Sequence, residues 1–225
     1  MDIPICQAIK YKVGIMMFIL KWLQNFCIQN YDKICHENEI VNIYTVDNPG
    51  WRVKIDLCNT NLISKSFNEV SIDNSDDDWV FIRIMDNVFD AACDKNKLVY
   101  ALSFFKEWSQ NKTFNSKTFS VNYDKEDLLY WLQNNWFCLL DFGWDGMEYH
   151  GVKISTKSDR IWNVEIELMD TYLENKEFNS FNISNSKSDW VNIKVENDKF
   201  KGSGDENKLE FIIERFKEWA EMYSE

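Results

Sequence analysis

The chain has 225 residues and a formal net charge of −12, with 45% hydrophobic and 28% charged residues. This balance is typical of a folded, water-soluble protein, and the excess of carboxylates argues against direct binding of nucleic acid, whose phosphates would be repelled. Six Cys residues occur without a CxxC pair, which favours reduced thiols in a cytoplasmic protein over a disulfide framework.

The N-terminal segment contains an apolar run, Val13–Leu20, which follows Lys10 and Lys12. The run is too short to span a membrane, and no small-residue cleavage site of a secretory signal follows it. We therefore expect a helical extension and no membrane association, and the role of residues 1–18 stays open.

The four letters WLQN occur twice, at Trp22–Asn25 and at Trp131–Asn134. Further along, residues 51–109 and 162–220 are identical at 25 of 59 positions without a gap. A repeat of this length indicates two small domains rather than the short units of a solenoid.

The matches define the predicted domain boundaries. Repeat one is expected at residues 1–110, a linker at residues 111–123, and repeat two at residues 124–225. The linker is predicted from its polar composition and its lack of large aliphatic residues.

Each repeat is predicted to begin with a helix, because apolar residues recur at helical spacing. They are Ile19, Trp22, Leu23, Phe26 and Cys27 in repeat one, and Leu128, Leu129, Leu132, Trp136 and Leu139 in repeat two. Asp124 or Asp127 is a candidate N-cap for the helix of repeat two.

Four strands are predicted after each of these helices, most clearly where apolar and polar residues alternate without a break. They fall at residues 40–44, 51–57, 67–72 and 79–84, and at residues 151–155, 162–168, 178–183 and 190–195. Lys201–Asp205 contains two Gly residues and is predicted to be a turn and a helix N-cap.

An amphipathic helix closes each repeat, with stripes that run from Leu98 to Trp108 and from Leu209 to Trp219. The predicted fold class is α+β. We expect two repeated domains, each an antiparallel sheet of about four strands flanked by N- and C-terminal helices. The Trp and Phe residues that the repeats share are predicted to pack in the core rather than to form a ligand platform.

The repeats differ most in charge, with a net of −2 over residues 1–120 and −10 over residues 121–225. A solvated surface that aids solubility and a docking face for a basic partner both explain this difference. For the second explanation, the candidate binding residues are Glu165, Glu167, Asp170, Glu174, Glu177, Asp145 and Glu148.

The chain has no HExxH, Walker loop, GxSxG or metal-spaced Cys/His motif. We therefore predict no catalytic residues, no metal and no cofactor. The alternative is a small-ligand-binding or metal-dependent hydrolase module that uses the loop of Asp145, Glu148 and His150.

Repeat one carries an ordered set of motifs: the WLQ helix, the turn and strand DNPGWRVKIDL at Asp47–Leu57, then Thr60, Leu62 and the pair Asp78-Trp79. This set resembles immunity protein family 53, whose members are small α+β proteins of bacterial polymorphic toxin systems. The resemblance covers nearly the whole of each repeat, although Ser158–Ile161 replaces the DNPG turn in repeat two.

The resemblance implies a non-enzymatic protein that binds a cognate toxin and neutralises it by covering its surface. The charge difference between the repeats adds two expectations. The acidic repeat two makes the contact, and the toxin is basic, as a nuclease would be.

Overall fold

The structure is a computed structural model that describes residues 18–32, 39–46, 49–111, 113–121, 127–136 and 151–224. In repeat one it contains α1 (Ile19–Asn30), β1 (Glu39–Val46), β2 (Gly50–Asp56), β3 (Val70–Ser75), β4 (Asp78–Met85), β5 (Val88–Asp94) and α2 (Leu98–Gln110). In repeat two it contains α3 (Leu128–Trp131), β6 (Val152–Lys157), β7 (Trp162–Glu167), β8 (Phe181–Ser186), β9 (Asp189–Glu196), β10 (Lys199–Gly204) and α4 (Leu209–Glu221). No helix within these ranges is both long and apolar enough to cross a membrane.

The predicted helices at both ends of each repeat are confirmed. Helix α3 continues as one π-helical stretch, Leu132–Trp136. Its N-cap is Asp127, whose Oδ1 accepts hydrogen bonds from the backbone N–H groups of Leu129 and Tyr130 at 2.8 and 3.3 Å. The other candidate cap, Asp124, and the predicted helical residue Leu139 lie outside the described residues.

The prediction of two separate sheets of about four strands is wrong. The described strands form one antiparallel sheet of ten, in the order β3-β4-β5-β2-β1-β6-β7-β10-β9-β8. The two halves join where β1 pairs with β6, with Ile43 opposite Ile154 and Tyr44 opposite Lys153. We call this β1–β6 pair the seam.

The sequence prediction missed the fifth strand of each repeat, β5 and β10. The prediction of a turn at Lys201–Asp205 is also wrong, since residues 201–204 belong to β10. Gly202 lies directly beneath α4, where a Cβ atom would overlap the Cγ2 atom of Ile212. Close helix packing thus requires small residues in these strands, and small residues hide the alternation that marks a strand.

The four α-helices of the described residues lie on one face of the sheet. Helix α2 packs on β2 and β5, helix α4 packs on β7 and β10, and α1 and α3 contact both of these helices. The largest fully buried side chains include Trp51, Trp136 and Trp162. The described part of the linker packs on α2 as well, because the Phe119 ring lies 5.3 Å from that of Phe104.

The structure gives each WLQN motif two functions. The Trp packs within its own repeat, since the ring centroids of Trp22 and Phe105 lie 5.7 Å apart and those of Trp131 and Phe216 lie 6.0 Å apart. The Gln reaches into the other repeat. The Oε1 atom of Gln133 accepts a hydrogen bond from the Val99 N–H at 2.9 Å, and that of Gln24 accepts one from the Glu210 N–H at 3.4 Å.

These two contacts cap helices that have no cap of their own. The N-cap residues of α2 and α4, Lys97 and Lys208, make no side-chain cap hydrogen bond. Both Gln side chains are buried, so each repeat supplies a buried acceptor to the first turn of the other repeat's closing helix.

We expect Gln133→Met to lower the free energy of unfolding by about 1 to 3 kcal/mol, because the buried Val99 N–H loses its acceptor while the side-chain volume is kept. Urea denaturation of the full chain measures this effect. Gln110→Met, at the exposed end of α2, is the control and should change stability little. Equal stability of the two variants would show that the cap contributes nothing.

Candidate functional site

The sheet face opposite the helices, which we call the open face, is the candidate interaction surface. Along β2 the side chains alternate, with Trp51 and Val53 buried beneath the helices and Arg52 and Lys54 on the open face. An antiparallel sheet commonly has one face in the core and the other in water. No described helix covers the open face.

Two of the predicted binding residues, Glu165 and Glu167, lie on the open face of β7. The Lys199 Nζ atom on β10 lies 2.9 Å from the Glu165 Oε1 atom and 3.4 Å from the Glu167 Oε2 atom. The hydrogen bond to Glu165 raises the pKa of the Lys199 ammonium, and the charges of both carboxylates add to the shift. Glu165 remains half-exposed, whereas Glu167 is buried.

The other predicted binding residues are more dispersed. Asp170 and Glu174 lie in the loop after β7, where the Asp170 N–H donates to the Glu174 Oε2 atom at 2.8 Å. Glu177 lies beside the C-terminal end of α4, because its carbonyl oxygen accepts from the Trp219 indole at 3.0 Å. Asp145 and Glu148, together with His150 of the alternative ligand site, are outside the described residues.

A cavity of about 480 Å³ opens where the seam meets the open face. Repeat one lines it with Asn42 and Tyr44, and repeat two lines it with Lys153, Glu165, Glu167 and Lys199. The Oδ1 atom of Asn42 is buried and has no hydrogen-bond partner among the described residues. This seam cavity is therefore lined by Lys and Glu side chains and by the Asn42 amide oxygen, which could accept a hydrogen bond.

The open face of repeat two carries Lys as well as Glu. Besides the ion pairs of Lys199, the Lys194 and Lys201 Nζ atoms lie 3.0 and 3.4 Å from the Glu196 Oε2 atom. Carboxylates also line α4 on the opposite side of the molecule, at Glu210, Glu214, Glu218 and Glu221. Burial raises the pKa of Glu210.

Sequence reasoning missed a group of apolar side chains on the open face of β4. We define the apolar patch as Trp79, Phe81 and Met85. Phe81 is 41% exposed and Met85 is 48% exposed, and the rings of Trp79 and Phe81 lie 5.8 Å apart. Trp79 was predicted to be buried, and it is only 8% exposed. It lies on the open-face side of β4 beside Phe81, however, and not in the core cluster beneath the helices.

The sequence did contain a signal for this patch. Strand β4 reads DWVFIRIM and the matching strand β9 reads DWVNIKVE. The outward positions are Asn192, Lys194 and Glu196 in β9, as expected for a strand with one face in water, whereas β4 has Phe81, Arg83 and Met85 there. Comparing the two copies at alternate positions would have located the patch.

We expect Lys199→Met to destabilise the chain by about 1 kcal/mol at pH 7, because the buried Glu167 carboxylate loses its cation. The loss should shrink at high ionic strength, because salt screens the partly exposed ion pairs of Lys199. Urea denaturation of both proteins at low and at high salt measures the difference. A loss that is the same at both salt concentrations would mean that packing of the Lys199 stem, rather than its charge, stabilises the fold.

The comparisons agree with the tandem arrangement. A family model described as Immunity protein 53 matches residues 20–110 and again residues 129–221. Comparison with curated proteins and with solved structures gives no match.

Proposed function

We propose that this chain, which belongs to the Immunity protein 53 family, binds a cognate toxin. Binding would block the toxin's action by covering its surface. The family match over both repeats is the observation that supports this function. Binding alone accounts for the protection, so no residue of this chain is assigned a catalytic step.

The proposed contact is the open face around the seam cavity. Glu165 is half-exposed there, and side chains from both repeats line the same cavity. A stable protein–protein interface buries roughly 800 Å² on each partner, so the toxin would extend well beyond the cavity itself. Asp170 and Glu174, in the loop that follows β7, continue this surface in the proposal. Glu177, Asp145 and Glu148 remain predicted contacts.

The proposed toxin is basic, and a nuclease domain has the required chemistry because it must attract phosphate. The net charge of −12 on this chain would speed the encounter with such a domain at low ionic strength. The half-exposed Glu165 carboxylate offers an acceptor for an Arg or Lys side chain of the toxin.

The first experiment takes candidate toxin domains from the source organism and expresses each of them, with and without this chain, in the same host. Growth of cells that contain both proteins, and arrest of cells that contain the toxin alone, is the expected result. Arrest in both cultures, with the chain shown to be folded and abundant, would overturn the proposed function for that toxin.

The second experiment tests the contact surface. We expect Glu165→Gln/Glu167→Gln to weaken binding of an inactivated toxin by roughly tenfold or more and to flatten its salt dependence, because charged contacts are lost. Glu214→Gln/Glu218→Gln on α4, at the other face of the molecule, is the matched control. Titration calorimetry at two salt concentrations measures both variants, and a loss confined to the α4 variant would place the toxin on the helical face.

A further inference from the structure

Three outward side chains of β4 make one half of the open face chemically unlike the other. Phe81 and Met85 are 41% and 48% exposed, and Arg83 lies between them on the same face of the strand. Exposed apolar side chains that lie together and are flanked by polar groups mark interaction sites, whereas single exposed apolar side chains are common on any surface. The matching residues Asn192, Lys194 and Glu196 show that the same scaffold accepts polar residues there.

Charge in the two halves is also arranged differently. In repeat two, Glu196 pairs with both Lys194 and Lys201, so the cations of these strands have carboxylate partners. In repeat one, Arg52 and Arg83 share the single buried carboxylate of Asp90, with the Arg83 Nε atom 3.4 Å from the Asp90 Oδ2 atom. Arg83 stays half-exposed, and its remaining N–H donors face the same solvent as Phe81 and Met85.

The patch is continuous with the surface proposed above for the toxin. Phe81 lies opposite Ala92 on β5, Ala92 lies opposite Arg52 on β2, and Arg52 lies opposite Tyr44 on β1. Tyr44 lines the seam cavity. The open face thus offers one strip, which runs from apolar side chains at β4, across Arg52, to the mixed charges of the seam.

We infer that the apolar patch of repeat one is the principal energetic contact with the toxin, and that it receives an apolar protrusion flanked by a carboxylate. Trp, Tyr and Arg are enriched among the residues that dominate binding energy, and such residues cluster where water is excluded. A toxin that places its apolar protrusion on β4 and its basic side chains against Glu165 can bind the sheet in only one orientation, because the two contacts differ in chemistry. This inference rests on the proposed function, and it places the strongest contact on the less acidic repeat.

The chain itself supplies the substitutions for the test. Phe81→Asn/Met85→Glu gives β4 the two outward residues that β9 already carries, so the sheet is expected to form. Ile63→Glu is the matched control, because Ile63 is 50% exposed in a loop and repeat two carries Glu174 at the equivalent position. Thermal melts of all variants verify folding.

Affinity for the inactivated toxin that the growth experiment identifies is the first readout. We expect the double variant to lose roughly thirtyfold or more, and the control to stay within about threefold of the parent. A double variant that is folded and binds like the parent overturns the inference. If the unaltered chain does not bind the toxin, the proposed function fails first, and the patch assignment falls with it.

Methionine oxidation in the unaltered chain is the second readout. Met85 on the patch and Met169 beside Asp170 are 48% and 49% exposed, and Met222 at the end of α4 is 76% exposed. Dilute peroxide should oxidise all three in the free chain, and bound toxin should protect Met85 while Met222 continues to react. Protection of Met169 without protection of Met85 would place the toxin on the loop of repeat two instead.

A second copy of this chain is the competing occupant of the patch. Sedimentation of the free protein distinguishes the two cases. A monomer at micromolar concentration supports the toxin as occupant, and a dimer that Phe81→Asn/Met85→Glu dissociates would overturn it.

Discussion

The pairing of β1 with β6 is the contact on which the architecture depends. Val41 and Ile43 give β1 an apolar inner face, and its free backbone groups would form an adhesive edge if nothing paired with them. The matching strand of the other repeat removes both edges at once. The sheet then continues through the seam, so the helices, the reciprocal Gln contacts and the seam cavity all depend on this pairing.

The reciprocal Gln caps extend the same dependence to the helical face. Gln24 lies in α1, and Gln133 lies in the π-helical stretch that continues α3. Each side chain ends at the first turn of a helix in the opposite repeat. Neither repeat can satisfy these groups alone, because α2 and α4 begin without a side-chain cap of their own. The two repeats are therefore distinct in the sequence, but the folded core and the Gln hydrogen bonds require both of them.

Much of the fold was predictable from local pattern, and the errors have specific physical causes. Trp51–Leu57 alternates because one face is buried, and the stripe from Leu98 to Trp108 is helical for the same reason. Strand β10 was predicted to be a turn because it contains Gly residues. Gly202 is needed there because a larger residue would overlap Ile212 of α4, a contact that the local sequence does not reveal. The seam pairs residues more than 100 positions apart, such as Tyr44 and Lys153, and local periodicity carries no information on such contacts. Of the site, Glu165 and Glu167 were singled out from the sequence and lie on the open face of β7, whereas their partner Lys199 lies on β10, a strand that the sequence analysis missed.

The joining of two copies in one chain has a consequence for how such a surface can change. When two separate identical subunits form a symmetric pair, every substitution appears twice, once on each side of the axis. In a tandem chain the two sides carry different codons. Phe81 and Asn192 occupy equivalent positions on the same sheet. One half can therefore gain exposed apolar residues for binding, while the other half keeps polar residues that favour solubility. Because of the duplication, each half of the sheet can acquire its own substitutions while both halves keep the same fold.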